Sequence, residues 1–445
     1  MTESVRIEEN LYSLSDYSLQ LNRWFLKPIG VWPLSASTSR LERIICFVLI
    51  FLCYFFVLFT IIPCLLHLIL EDENIRMKLK ILGPFSHWLI GGINYSTLLL
   101  RSREMRVCIE HIQNDWKIVT RQKDQQVMMR YARIGRYITV FCTAFMQVGV
   151  LSHCTMAAFA TKIIEIGNET RIIRLLPCGF YKSLISIDVS PTYEIILASQ
   201  FVSGFIANSS AVGAVGMAAV FAAHACGQLT VLMIWIKEYV NRSKDHSRNV
   251  GLNEIGEIVE HHLRVLSFIA GIEDVMNEIC FMELFKCTMN MCMIGYYILT
   301  EWKEHDIQYM PAYLIILFSM TFNIFVVCYI GETLKEQCEK VGEVVYMTNW
   351  YYLPYKDILN LIQIILRSSM MIKITAGKLV HMSIFTFGNV SYQFIYIYLY
   401  SPIVEKSDTI SGNKNCLRVF QPVAPSHITQ YIFDLLMRKL VKFKI

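Results

Sequence analysis

Between Ile44 and Leu70 the chain runs for 27 residues without an Asp, Glu, Lys or Arg. About 20 apolar residues carry a helix across a bilayer, where every backbone N–H and C=O must be paired within the segment itself. Such a run therefore becomes a membrane-spanning helix rather than part of a soluble core. Five further uncharged runs repeat the pattern, at 81–100, 137–161, 195–236, 307–331 and 379–404. A seventh span, 279–300, reaches the required length only by admitting Glu283 and Lys286. These are i,i+3 neighbours on one helix face, and the expectation is a local pair at a wet helix end, since charges avoid lipid. Only 17% of residues are charged, against about 25% in soluble chains. Disorder, coiled coil, collagen and an ordinary cytosolic enzyme are excluded. The fold class is all-α, a polytopic membrane protein with seven transmembrane helices.

Charge asymmetry orients it. Of the 41 Lys and Arg residues, 25 fall in segments 1–43, 101–136, 237–274 and 332–378, and 8 in segments 71–80, 162–194 and 301–306. Basic residues stay on the cytoplasmic side, so the N-terminus is expected in the cytoplasm and the C-terminus outside, the reverse of a G-protein-coupled receptor. Seven basic residues beyond Glu405 run against that rule. The polar start and the late first apolar run argue against a cleaved signal. The sequon Asn168-Glu-Thr170 falls in an outer loop and is expected to be glycosylated, whereas Asn241-Arg-Ser243 falls inside. As a helix, 195–236 is roughly 60 Å long, about twice the hydrocarbon thickness, so it must project into the cytoplasm or bend. Its Gly-, Ala- and Ser-rich middle favours close helix packing. The apolar stretch Ile358 to Leu366, flanked by Asp357 and Arg367, is too short to span and reads as a cytoplasmic amphipathic helix.

Chemistry is sparse. Most of the 14 cysteines lie inside apolar runs, where they act as small hydrophobes. No CxxC, HExxH, GxSxG or phosphate-binding glycine loop occurs. His224, His261 and His262 lack a carboxylate or cysteine at a useful spacing. No enzyme, no cofactor, no metal and no nucleic acid partner is expected.

Three stretches carry a resemblance. GETLKEQCEKVGEVVYMTNWYYLP (331–354) resembles the segment after the sixth span of insect odorant receptors. ITAGKLVHMSIFTFGNV (374–390) is similar to the start of that family's seventh span, and LPCGFYKSLISIDVSPTYEIILASQF (176–201) to its second outer loop leading into span four. The short 237–274 connection points to a ligand-tuned subunit rather than the co-receptor. The resemblance implies a ligand-gated, non-selective cation channel in the plasma membrane of olfactory sensory neurons, assembled as a heterotetramer with an odorant co-receptor subunit. It also implies a volatile ligand held among the outer halves of spans two to six. The chain then divides into a cytoplasmic segment 1–43, spans one to six with the pocket at 44–330, anchor helices at 331–378, a seventh span at 379–404 and an atypical tail at 405–445. The implied subunit anchor falls on Leu334, Val341, Val345, Tyr346, Trp350 and Leu353, and the implied pore on Val390, Ser391, Gln393 and Phe394.

A volatile ligand offers apolar area and few polar groups, so an aromatic and aliphatic enclosure is expected. In the outer halves of the spans this selects Phe85, His87, Gln147, Leu151, His153, Tyr193, Gln200, Phe201 and Phe205, then Tyr296, Tyr297, Tyr313 and Phe318. A gustatory-type chemoreceptor is the neighbouring alternative. A secondary transporter is the other, although it calls for inverted repeats and mid-depth charges. After Val390 the sequence departs from the family pattern, and the nearly all-apolar SYQFIYIYLY with its charged tail reads as a retained intron or misjoined exon.

Overall fold

The computed structural model describes residues 3–392, apart from 36–37, 73, 160, 167–168, 182–184, 186–189, 245–253, 305–309 and 371–372. Its helices are α1 (Glu3–Leu26), α2 (Arg40–Leu70), α3 (Ile75–Leu100), α4 (Ser102–Ile118), α5 (Gln122–Phe159), α6 (Thr192–Lys244), α7 (Glu254–Glu304), α8 (Met310–Tyr346) and α9 (Tyr355–Ser369). A further helix, α10, begins at residue 384 and is described to 392. Two antiparallel hairpins complete the fold: β1 (Thr161–Ile166) with β2 (Glu169–Arg174), and β3 (Thr375–Ala376) with β4 (Val380–His381).

The runs read as spans one to six fall on α2, α3, α5, α6, α7 and α8, of which α2, α5, α6 and α8 are long and apolar enough to cross a membrane. The long fourth run is one unbroken helix of 53 residues, about 80 Å at 1.5 Å per residue, so it extends far beyond the hydrocarbon. It is apolar on all sides and sits at the centre, touching α1, α2, α3, α5, α7 and α8. Small residues allow this: a Cβ built on Gly91 of α3 would stand 2.7 Å from the Ala207 Cβ of α6, so the backbones meet directly. By contrast α2 is peripheral. Ser39 caps it by accepting from Glu42 N (3.2 Å), and Phe47, Phe51, Phe55 and Leu58 form an exposed apolar face of the kind lipid covers.

At the end away from β1–β2, polar contacts tie the helix extensions together. Glu238 of α6 accepts from Arg121 (2.5 Å) and Lys123 (2.7 Å), Trp235 donates to Asp124 (2.8 Å), and Tyr239 donates to Asp357 of α9 (2.7 Å). Hydrogen bonds from Arg121 and Lys123 hold the Glu238 carboxyl below its ordinary pKa. The stretch 358–366 is helical as expected. On α9, Leu361, Ile364 and Ser368 are buried, while Leu359, Ile362 and Leu366 remain exposed.

The region expected to open the seventh span at Leu379 starts differently, with the β3–β4 hairpin. Gly377 (φ +61) and Lys378 (φ 57) occupy its turn, and Leu379 N closes it on Ala376 O (3.1 Å). Two successive left-handed residues make a tight turn whose twist matches its strands, which explains glycine in the TAG stretch. The hairpin is held to α7 by Gly377 N on Asn277 O (2.9 Å) and Thr375 N on Glu273 (2.8 Å). Ser383 then caps α10, accepting from Thr386 N (3.2 Å).

A candidate ligand cavity above a buried ion pair

In the half nearer β1–β2, α3, α5, α6, α7 and α8 surround a cavity of about 70 Å³, small beside the roughly 300–1,000 Å³ of drug-sized sites. Four of the residues selected from sequence line it: His87, His153, Tyr297 and Tyr313. Sequence reasoning missed Trp88, Met146, Asn208, Asn290, Met293 and Met320. Their identity does not separate a wall residue from a packing residue, although Gly83 and Gly149, also in the wall, mark where side chains were kept out.

The other selected residues surround the cavity without lining it. Gln147 bridges Ser209 and Asn208 (both 3.1 Å). Phe85 and Phe201 pack around the Cys64, Trp88, Cys154 and Cys178 cluster, and Tyr296 stacks edge-on against Tyr297. Gln200 holds the backbone of Cys178 at both N and O (3.1 Å each), and Tyr193 donates to Leu175 O (2.9 Å). His153 donates to Pro177 O (3.1 Å). Segment 175–178 is thereby pinned over the hairpin end of the bundle. Leu151, Phe205 and Phe318 are exposed on the outside of the bundle.

Most polar groups on the wall are already engaged. Tyr297 donates to Leu79 O (2.6 Å), Ser319 to Phe145 O (3.1 Å) and Asn290 to Lys286 O (2.9 Å). Below Asn290 lies the pair that the sequence reading put at a wet helix end, and the structure corrects that. Lys286 is 1% exposed and Glu283 3% exposed, 2.7 Å apart. Glu283 also accepts from Asn94 of α3 and from Asn323 of α8 (2.9 Å). Two amides from other helices replace the water that a lone pair would need. A smaller void beneath is lined by Cys280, Glu283, Leu284, Asn323, Val327 and Met382, so this network reaches a residue two positions ahead of α10.

Of the residues assigned to the anchor, Leu334, Val341, Val345 and Leu353 are buried within the chain, Trp350 is half-buried and Tyr346 is 64% exposed. Of those assigned to the pore, Val390 is buried and Ser391 lies beside it on α10. Gln393, Phe394, Asn168 and the atypical tail lie outside the described residues.

A bundle of helices long enough to cross a bilayer, with an apolar cavity between five of them, defines a polytopic membrane protein with an internal pocket. A family model described as 7tm Odorant receptor matches residues 79–392, and the chain belongs to that family. Odorant receptor 13a of Drosophila melanogaster is 26% identical over 29% of this chain and 31% of its own length. Odorant receptor 10 of Aedes albopictus is 20% identical over 55% of this chain and 65% of its own length. The chain thus matches from about a third to just under two thirds of these curated relatives. The fold is shared with the insect olfactory receptor OR5 from Machilis hrabei in complex with eugenol, at a TM-score of 0.70 and 12% identity, covering 91% of this chain and all of that one. A second structure of OR5 matches at 0.70 and 14% identity, covering 86% and 98%. The family is one of receptors, and the chain is not an enzyme.

Proposed function

We propose that the chain is the odorant-binding subunit of a ligand-gated, non-selective cation channel. It assembles with a co-receptor subunit as a heterotetramer in the plasma membrane of olfactory sensory neurons. The observation that carries this reading is an apolar cavity between five helices, with Asn290 on its wall hydrogen-bonded to Lys286 O just above the Glu283–Lys286 pair. Family membership and the likeness in fold to a receptor solved with eugenol support a small molecule as its occupant. Ligand-driven gating requires one element whose two arrangements both sites bias. The path from Asn290 through Lys286, Glu283 and Asn323 to Met382 is the candidate for it, because a charged pair held by three helices has few compatible arrangements.

Expression in oocytes with and without an insect odorant co-receptor tests the reading. The expected outcome is odorant-evoked cation current with the co-receptor, little without it, and no change under G-protein inhibitors. A current that needs G-protein activation, or none from a broad odorant panel in surface-expressed complexes, rejects it.

A further inference from the structure

Resting on that reading of the cavity as the ligand site, we infer that its preferred occupant is a neutral molecule, mostly hydrocarbon, carrying one hydroxyl group that hydrogen-bonds to His87. His87 lines the cavity, is 8% exposed, and its Nε2 has no hydrogen-bond partner among the described residues. Trp88, 2% exposed, stands on the same wall with its Nε1–H also unpartnered. The two rings meet edge to face, centroids 5.6 Å apart. A buried polar atom left without a partner costs about 1–3 kcal/mol, which a ligand able to supply the partner recovers on binding.

The rest of the wall narrows the chemistry. His153, Tyr297, Ser319, Asn208 and Asn290 each already donate to a protein acceptor, so His87 and Trp88 are where an incoming polar group finds unmet demand. Lys286 and Glu283 answer each other's charge, and among the described residues the wall carries no Asp, Glu, Lys or Arg for an ionised ligand to pair with. A neutral imidazole nitrogen accepts or donates according to tautomer, and an indole only donates. An O–H does both, so it satisfies His87 in either tautomer and keeps a lone pair for Trp88. An ether of the same skeleton can only accept, and a hydrocarbon does neither.

The test uses matched sets on two skeletons: 1-octanol, its methyl ether and nonane; and 2-phenylethanol, its methyl ether and propylbenzene. Thermal protection of the purified full-length chain in detergent reads the cavity without a channel, and current with the co-receptor reads it with one. On at least one skeleton the alcohol is expected to act at a concentration about tenfold or more below its ether, one good hydrogen bond being worth a decade. His87→Phe should shrink that ratio to about twofold or less while hydrocarbon binding holds, and His87→Gln should keep part of it. Where H87F gives no cooperative melting transition, H87L serves in its place. Alcohols and ethers acting equally on the wild type, the preference surviving in H87F or H87L, or no protection by any compound each overturns the inference. Alcohol-selective protection without any evoked current rejects the channel reading and leaves the hydroxyl site standing.

Discussion

A lysine enclosed by transmembrane helices is tolerated only when its charge is answered, and Lys286 has Glu283 at 2.7 Å for that purpose. Glu283→Gln would leave the ammonium buried beside a neutral amide. The expected loss is about 3–5 kcal/mol of stability, with the Glu283→Gln/Lys286→Met double variant recovering much of it because no charge then stays unpaired. Melting of the purified variants measures both, and an E283Q chain as stable as the wild type contradicts this account of the network. Lower on α7, outside the span, burial and the neighbouring cations Arg264 and Arg367 hold His261 and His262 at a pKa of about 4, below the ordinary 6.5. A depressed histidine pKa stabilises the fold fully above pH 6.5, and that contribution is lost as pH falls toward 4. Melting temperature should therefore fall between pH 6.5 and 4.5, and the fall should shrink in His262→Leu. The sequence made the Glu283–Lys286 spacing legible but not its burial, because the amides that shelter it come from Asn94 and Asn323, 189 and 40 residues away from Glu283 in the chain.

At the scale of elements, α8 and the start of α10 are pressed together. A Cβ on Gly331 would collide with the Met382 carbonyl oxygen, which is backbone and cannot turn aside as a side chain can. Gly331→Ala should displace the residues leading into α10 while leaving the cavity intact. The expected result is a reduction of maximal evoked current of severalfold, with thermal protection by ligand unchanged. Unchanged current in G331A separates this contact from gating. Length and hydrophobicity were enough to mark α2, α5, α6 and α8, which are long and apolar enough to cross a membrane, since a bilayer imposes both on any helix crossing it. They could not place the β3–β4 hairpin inside the last apolar run, where the TAG turn depends on two backbone angles and on Glu273 and Asn277 of a distant helix. Nor could they choose between candidates such as His87, which faces the cavity, and Leu151, which faces outward, because both sit on outer halves of apolar helices and only the rotation of each helix separates them.

For the whole molecule, the excess of basic residues on one side predicts a cytoplasmic N-terminus. An N-terminal epitope should be reached by antibody only after permeabilisation, and Asn168→Gln should increase electrophoretic mobility as a glycan is lost. Labelling of intact cells at the N-terminus reverses the orientation. The central position of α6 has a consequence for how the molecule is made. This helix, rich in glycine, alanine and serine, offers lipid almost no surface in the finished bundle, whereas α2 is strongly hydrophobic and mostly exposed. During synthesis α2 can leave the translocation channel into lipid unaided. A helix whose small and polar residues find partners only in protein gains much less from lipid alone. α1, α2, α3 and α5 are made before it and pack against it, so the order of the chain places its partners at the exit first. The helix on which the others pack is thus a latecomer whose insertion depends on those already waiting.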